Sequence, residues 1–158
     1  MMRNPIARSI GLACVTLLLA SGCATPGPQW PAISEAPTDV RIQGRWVWAE
    51  LLADDVDVEK AFYEQVFGWR FETRGTGTST YTVVRVDDTP IAGIIHYAKP
   101  VEAKRSARWL PLMSVPDPAR AAEQAATSGG KVLVPAKLLP GRGEISVLAD
   151  PEGGLFGG

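Results

Sequence analysis

One spacing constrains this chain more than any other feature. A strand–helix–strand pattern at Trp46–Glu72 returns 61 residues later in the second half of the chain. The first copy, WVWAELLADDVDVEKAFYEQVFGWRFE, reads as a strand over Trp46–Ala53, an acidic turn, a helix over Val58–Phe67 and a strand from Trp69 to Thr73. In the helix, Val58, Ala61, Phe62 and Val66 recur at three- and four-residue spacing, which predicts one apolar face. Asp55 or Asp57 is placed to cap its N-terminus, and Gly68 to end it in the left-handed conformation. That role explains the acidic triplet Asp54, Asp55 and Asp57 better than a metal cluster does.

Two further strands are expected to complete the first copy. RGTGTS at 74–79 is a glycine-bearing turn without the Lys-Ser/Thr pair of a phosphate loop. Thr80–Val86 places Tyr81, Val83 and Arg85 on one side, Asp87-Asp88 turns the chain, and Ile91–Tyr97 follows. A 61-residue shift superposes Trp48 on Trp109, Leu51 on Leu112, Ala61 on Ala122 and Gly68 on Gly129. It also superposes Val86 on Val147, Pro90 on Pro151 and Gly93 on Gly154, so the identities fall at corresponding elements. Asp117-Pro118 opens the second helix, whose small face is Ala122, Ala125 and Ala126. The remaining strands are expected at Lys131–Val134, Glu144–Ala149 and Gly154–Gly158. The fold class is therefore α+β, two tandem βαβββ modules at 45–99 and 107–158.

The first forty residues carry a different message. A basic start (Arg3, Arg8), an apolar run over Ile10–Ala20 and then Ser21-Gly22-Cys23 have the layout of a secretory signal, too short to span a bilayer as a helix. Leu19-Ala20-Ser21-Gly22-Cys23 resembles the bacterial lipobox, which implies a signal peptide over 1–22, lipidation of Cys23 and localisation in the bacterial cell envelope, facing the periplasm or exterior. The proline-rich stretch that follows, within 23–44, reads as an extended tether to a membrane. Cleavage would remove Arg3 and Arg8 and leave 14 basic residues against 17 acidic. A mildly acidic domain with scattered Lys and Arg gives no footprint for nucleic acid. Both cysteines, Cys14 and Cys23, precede the domain, which excludes a cysteine nucleophile or thiolate zinc site within it.

The duplicated unit, with AFYEQVFGW in the first copy and WLPLMSVPD and GGKVLVPAKLLPGRGEISVLADPEGGLFG in the second, resembles the vicinal-oxygen-chelate (VOC) superfamily, and within it the glyoxalase/bleomycin-resistance-like branch. The resemblance covers 45–158 and implies a half-barrel cleft with the helices packed outside. In metal-dependent members, the first and last strands of each module present His or Glu side chains to that cleft. The matching positions here are Trp48–Glu50, Leu110, Ile94–His96 and Gly157, of which only Glu50 and His96 could ligate. No metal and no cofactor are therefore expected, and a small organic ligand in one cleft is the first expectation. Whether the domain is an enzyme stays open. A metal-dependent lyase, isomerase or dioxygenase and a structural envelope protein with a vestigial cleft are the alternatives.

The candidate pocket residues are Trp48, Glu50, Arg85, His96 and Trp109. Glu50 shares a strand face with Trp48 and needs either a wet cleft or a basic partner such as Arg85. His96 is the sole histidine and sits at a strand end, where it is a general base or a solvated side chain. Trp46, Trp48 and Trp109 suit an aromatic wall or core packing equally in chemistry. Relatives of this type often pair their domains, so a homodimer is one expected arrangement. A last strand stopping at Gly157-Gly158 would leave one cleft edge short unless a partner chain completed it.

Overall fold

A computed structural model of the chain describes residues 40–98 and 106–158. The expected signal peptide, the expected lipidation site Cys23, most of the expected tether and the segment joining the modules lie outside the described residues. Eleven elements follow in order: β1 (Trp46–Ala53), α1 (Val56–Phe67), β2 (Arg70–Arg74), a 3-10 turn (Gly77–Ser79), β3 (Tyr81–Val86), β4 (Thr89–His96), β5 (Arg108–Met113), α2 (Pro118–Thr127), β6 (Lys131–Leu139), β7 (Gly143–Ala149) and β8 (Leu155–Gly157). Setting the 3-10 turn aside, this is βαβββ twice. No helix among the described residues is long and apolar enough to cross a membrane.

The strands form one mixed sheet in the order β2-β3-β4-β1-β5-β8-β7-β6. Within each module the first and last strands run parallel, β1 beside β4 and β5 beside β8. The modules meet where β1 and β5 pair antiparallel from Trp46↔Met113 to Leu52↔Arg108. The sheet stays open, with β2 and β6 at its edges.

The sheet's two faces are chemically different, as the two-residue alternation of a strand requires. One face carries Leu51, Ala53, Val84, Ala92 and Ile94 into a buried cluster, flanked by Ala49, Val56, Tyr63, Trp69, Phe71 and Ile91. Each such aliphatic side chain contributes about 1.5–3 kcal/mol by burial, the smaller alanines less. On the second module, Ala122 of α2 and Leu148 and Ala149 of β7 are buried. The opposite face carries Trp48, Glu50 and Leu52.

The helix caps form as the sequence predicts. Asp55 accepts a hydrogen bond from the Val58 amide, Asp117 accepts one from Arg120, and Gly68 ends α1 at φ 68°. Asp117→Ala is expected to cost about 1 kcal/mol in urea unfolding, because it strips an N-terminal amide of its acceptor.

Three details depart from expectation. Helix α1 starts at Val56, one turn position before Val58, and β6 continues through Leu139 rather than stopping at Val134. More substantially, Val58, Phe62 and Val66 are not the packing face of α1: each is more than half exposed. The helix instead turns Val56 and Tyr63 towards the sheet, with the Tyr63 ring stacked 4.9 Å from Trp69. A stacked aromatic pair fixes the helix rotation where aliphatic periodicity pointed about a third of a turn away.

Candidate functional site

Glu50 lies in the middle of β1 on the face away from the helices, and it is 3% exposed. A carboxylate there is tolerated only if its oxygens are matched. Both are. The Tyr81 hydroxyl of β3 shares its one proton between Oε1 and Oε2, at 3.0 and 2.9 Å, and Arg142 Nη1 donates to Oε1 at 3.1 Å. Trp48 Nε1 in turn donates to Tyr81 Oη at 3.2 Å. The Arg142 guanidinium also lies over the Tyr81 ring, 3.9 Å from its centroid, a cation–π contact that holds its orientation.

Arg142 shows the sheet's curvature directly. It belongs to the β6–β7 turn, and β7 is three strands from β1, about 14 Å along a flat sheet. An arginine side chain cannot cover that distance unless the sheet curls, so the Glu50 face is concave. The first module supplies the carboxylate and phenol, and the second sends the cation back across the cleft.

Burial pushes the Glu50 carboxyl up to about 7, against the pull of the Arg142 charge and the hydrogen bonds from Tyr81, Arg142 and Trp48. The Tyr81 hydroxyl is pushed well above the usual phenol range by burial and then by the Glu50 charge. The phenol therefore stays protonated as a donor, while Glu50 exchanges its proton near neutrality.

The space for this cluster comes from a glycine. Gly93 of β4 pairs with Glu50, and a Cβ there would overlap Tyr81 Oη and Glu50 Oε2. The other module repeats the arrangement: Leu112 of β5 pairs with Gly157 of β8, where a Cβ would come 2.5 Å from Leu112 Cδ2. The last-strand residues beside Glu50 and Leu112 are thus Gly93 and Gly157. Neither can carry a metal ligand, and neighbouring side chains already fill the volume such a ligand would occupy. Leu110, opposite Glu50 on β5, offers none either. Among the described residues, no three His, Cys, Asp or Glu side chains converge. This donor set does not fit a divalent ion, which needs several oxygen or nitrogen ligands.

The other expected pocket residues are spread over the domain. Arg85 shares the strand face of Tyr81, but its Nε donates to Glu72 Oε2 at 2.8 Å and it also bonds the Asp88 carbonyl. Glu72 takes Arg74 as well, and hydrogen bonds from Arg74 and then Arg85 hold its carboxyl below the usual range. His96 pairs with Ala53 in the β1–β4 register, so it lies on the helix face, not with Glu50. There it lines a cavity of about 240 Å³ with Val56, Asp57, Lys60, Thr82 and Ile94. Trp109 pairs with Leu51 and also faces α1, donating to Tyr63 Oη at 3.0 Å and meeting Trp69 edge-on. Of the five, the structure joins Trp48 with Glu50 and leaves Arg85, His96 and Trp109 elsewhere. Tyr81 and Arg142 were missed as members. Tyr81 was detectable as an aromatic on the same alternating face as Val83, and Arg142 only as the charge in a Gly-Arg-Gly turn.

A duplicated βαβββ chain with one open mixed sheet, helices outside and a polar cluster on the concave face is a protein of the VOC superfamily. The sequence profile of the glyoxalase-like domain matches residues 47–157, and the chain belongs to that family. It is 31% identical over 120 residues to proteins named "Putative glyoxylase CFP32" from Mycobacterium bovis and Mycobacterium tuberculosis. The match takes in 75% of this chain and 45% of theirs, so the chain spans less than half the length of these relatives. Among solved structures, Streptomyces coelicolor methylmalonyl-CoA epimerase bound to 2-nitronate-propionyl-CoA is similar at 16% identity and a TM-score of 0.49, over 73% of this chain and 93% of that one. Zea mays glyoxalase I is similar at 21% identity and a TM-score of 0.30, over 70% and 43% respectively.

Proposed function

We propose that this chain is a lipid-anchored glyoxalase-like domain of the bacterial envelope that binds a small organic molecule on its concave face without a metal ion. The observation that carries the binding reading is the Glu50–Tyr81–Arg142 cluster. A strongly shifted carboxyl and a paired guanidinium, both buried in the trough of a curved sheet, are a costly arrangement of the kind found at binding sites. Leu110 and Gly157 offer no ligand and His96 lies on the other face of the sheet, so Glu50 is left alone among the expected ligand positions, which supports a metal-free cleft. The lipobox-like Leu19–Cys23 supports the anchor and a site on the periplasmic or outer side.

The test is a thermal-shift panel of small organic molecules on the full-length chain in detergent, with and without EDTA. The expected result is at least one ligand that raises the melting temperature, unchanged by EDTA, and purified protein free of stoichiometric metal. Stoichiometric zinc, nickel, manganese or iron lost in Glu50→Gln would overturn the metal-free reading. Radiolabelled palmitate incorporated into the wild type but not Cys23→Ala would establish the anchor.

One observation favours a second reading. The Arg142 and Glu50 side chains are only 6% and 4% exposed, so the chain closes part of its own cleft. A structural envelope protein with a plugged cleft would give a flat panel while still capturing an envelope partner.

A further inference from the structure

The unused feature of the site is the way Arg142 is mounted. It stands between Gly141 at φ 75° and Gly143 at φ 90°, at the tip of the hairpin in which Leu139 pairs with Gly143. Left-handed backbone on both sides is accessible to glycine without strain, and the Arg142 amide closes the turn on the Leu139 carbonyl at 2.9 Å. No backbone ladder ties this tip to β1, since β5 and β8 intervene. Its link to Glu50 is made by the side chains, through the ion pair.

A guanidinium presented in this way is a receptor for carboxylates and similar oxyanions, and here the chain supplies one from within. We propose that the cleft takes small organic anions, whose carboxylate replaces Glu50 on the Arg142 guanidinium. This rests on the ligand-binding reading above and names its ligand class. The Tyr81 ring keeps the guanidinium flat during the exchange. Glu50, left behind, keeps the Tyr81 hydroxyl as its hydrogen-bond partner and takes up a proton, so no uncompensated charge remains buried. The groups facing Glu50 are compatible with that exchange. Trp48 lies on its own strand, Tyr81 on β3, Gly93 on β4, Leu110 on β5 and Arg142 on the turn, while Arg108 stands further along β5 at the exposed end beside Leu52. Exchange between an internal and an external carboxylate also explains why a buried ion pair fills the centre of a cleft.

Matched acid and amide probes, benzoate with benzamide and acetate with acetamide, test this on the full-length chain in detergent by calorimetry and thermal shift. The acids are expected to bind at least about tenfold more tightly than their amides, with net proton uptake seen as a dependence of the heat on buffer ionisation. Glu50→Gln, which removes the internal competitor's charge, is expected to tighten acid binding by about tenfold. Arg142→Gln should abolish the preference and Arg142→Lys restore part of it, with circular dichroism confirming that each variant is folded. Amides binding as well as acids would overturn the anion proposal and leave small-molecule binding standing. Loss of the preference in Arg108→Gln instead of Arg142→Gln would overturn it as well. No binding of any probe, in wild type or in Glu50→Gln, would overturn both.

Discussion

Gly93→Ala is expected to lower the stability of the domain by about 3 kcal/mol or more, measured by equilibrium urea unfolding. The added methyl overlaps Tyr81 Oη and Glu50 Oε2, and neither can retreat cheaply. Tyr81 is fully buried, its hydroxyl tied to Glu50 and Trp48, and Glu50 is fixed in mid-strand between β4 and β5. Overpacking in ordinary cores costs about 1–3 kcal/mol, and here it also breaks hydrogen bonds to a carboxylate. Because the clash and the bonds share one partner, Gly93→Ala combined with Tyr81→Ala should cost less than the sum of the two by about 1 kcal/mol or more. Strict additivity would mean that Gly93 serves some purpose other than clearing space for the phenol.

The second large effect depends on pH. With its carboxyl raised from 4.5 to about 7, Glu50 holds its proton more tightly in the folded chain than in the unfolded one. Stability attributable to this group is therefore greatest at low pH. It falls as pH rises from about 4.5 to about 7, by roughly 3 kcal/mol in total. Arg142 limits that fall by stabilising the ionised form. Arg142→Met should accordingly cost about 3–5 kcal/mol near pH 8, where the buried carboxylate loses its cation. Near pH 5 the same substitution should cost much less, because Glu50 is then neutral with or without the arginine. Urea unfolding at the two pH values measures the difference, and Glu50→Gln should remove it. An equal cost of Arg142→Met at both would show that the arginine stabilises the hairpin by packing alone.

Much of the fold was legible because it is local and written twice. The Trp46–Gly68 stretch carries its strand alternation, caps and stop signal within 23 residues, and the echo at Trp109–Gly129 repeats it. Two-residue alternation also placed Trp48 and Glu50 together, and Tyr81 on one face of β3. What failed was long-range or depended on parity. Arg142 is 92 residues from Glu50, and no pattern near either residue refers to the other. Arg85 was one expected basic partner for Glu50, yet its Nε donates to Glu72 instead. His96 lies three residues beyond Gly93, an odd step that puts it on the other face. The 61-residue shift matched Gly93 to Gly154, whereas the strand pairing gives Gly157 the place beside Leu112 that Gly93 has beside Glu50. A repeat of sequence does not preserve register when the hairpins between strands differ in length. The rotation of α1 was misjudged for a related reason: aliphatic spacing carries no information about which aromatic ring Tyr63 will stack on.

The joining of β1 to β5 in a single chain has a consequence for stoichiometry. Two identical βαβββ units paired about that seam would hold two equivalent carboxylates and two equivalent arginines, hence two identical pockets. Fusion has let the halves diverge, so that Leu112 and Gly157 mirror Glu50 and Gly93 with no polar group between them. One half carries the carboxylate and the phenol, and the other sends the arginine that reaches them. What symmetry would have made a pair of equivalent clusters is here a single asymmetric one, with its carboxylate on one module and its arginine on the other.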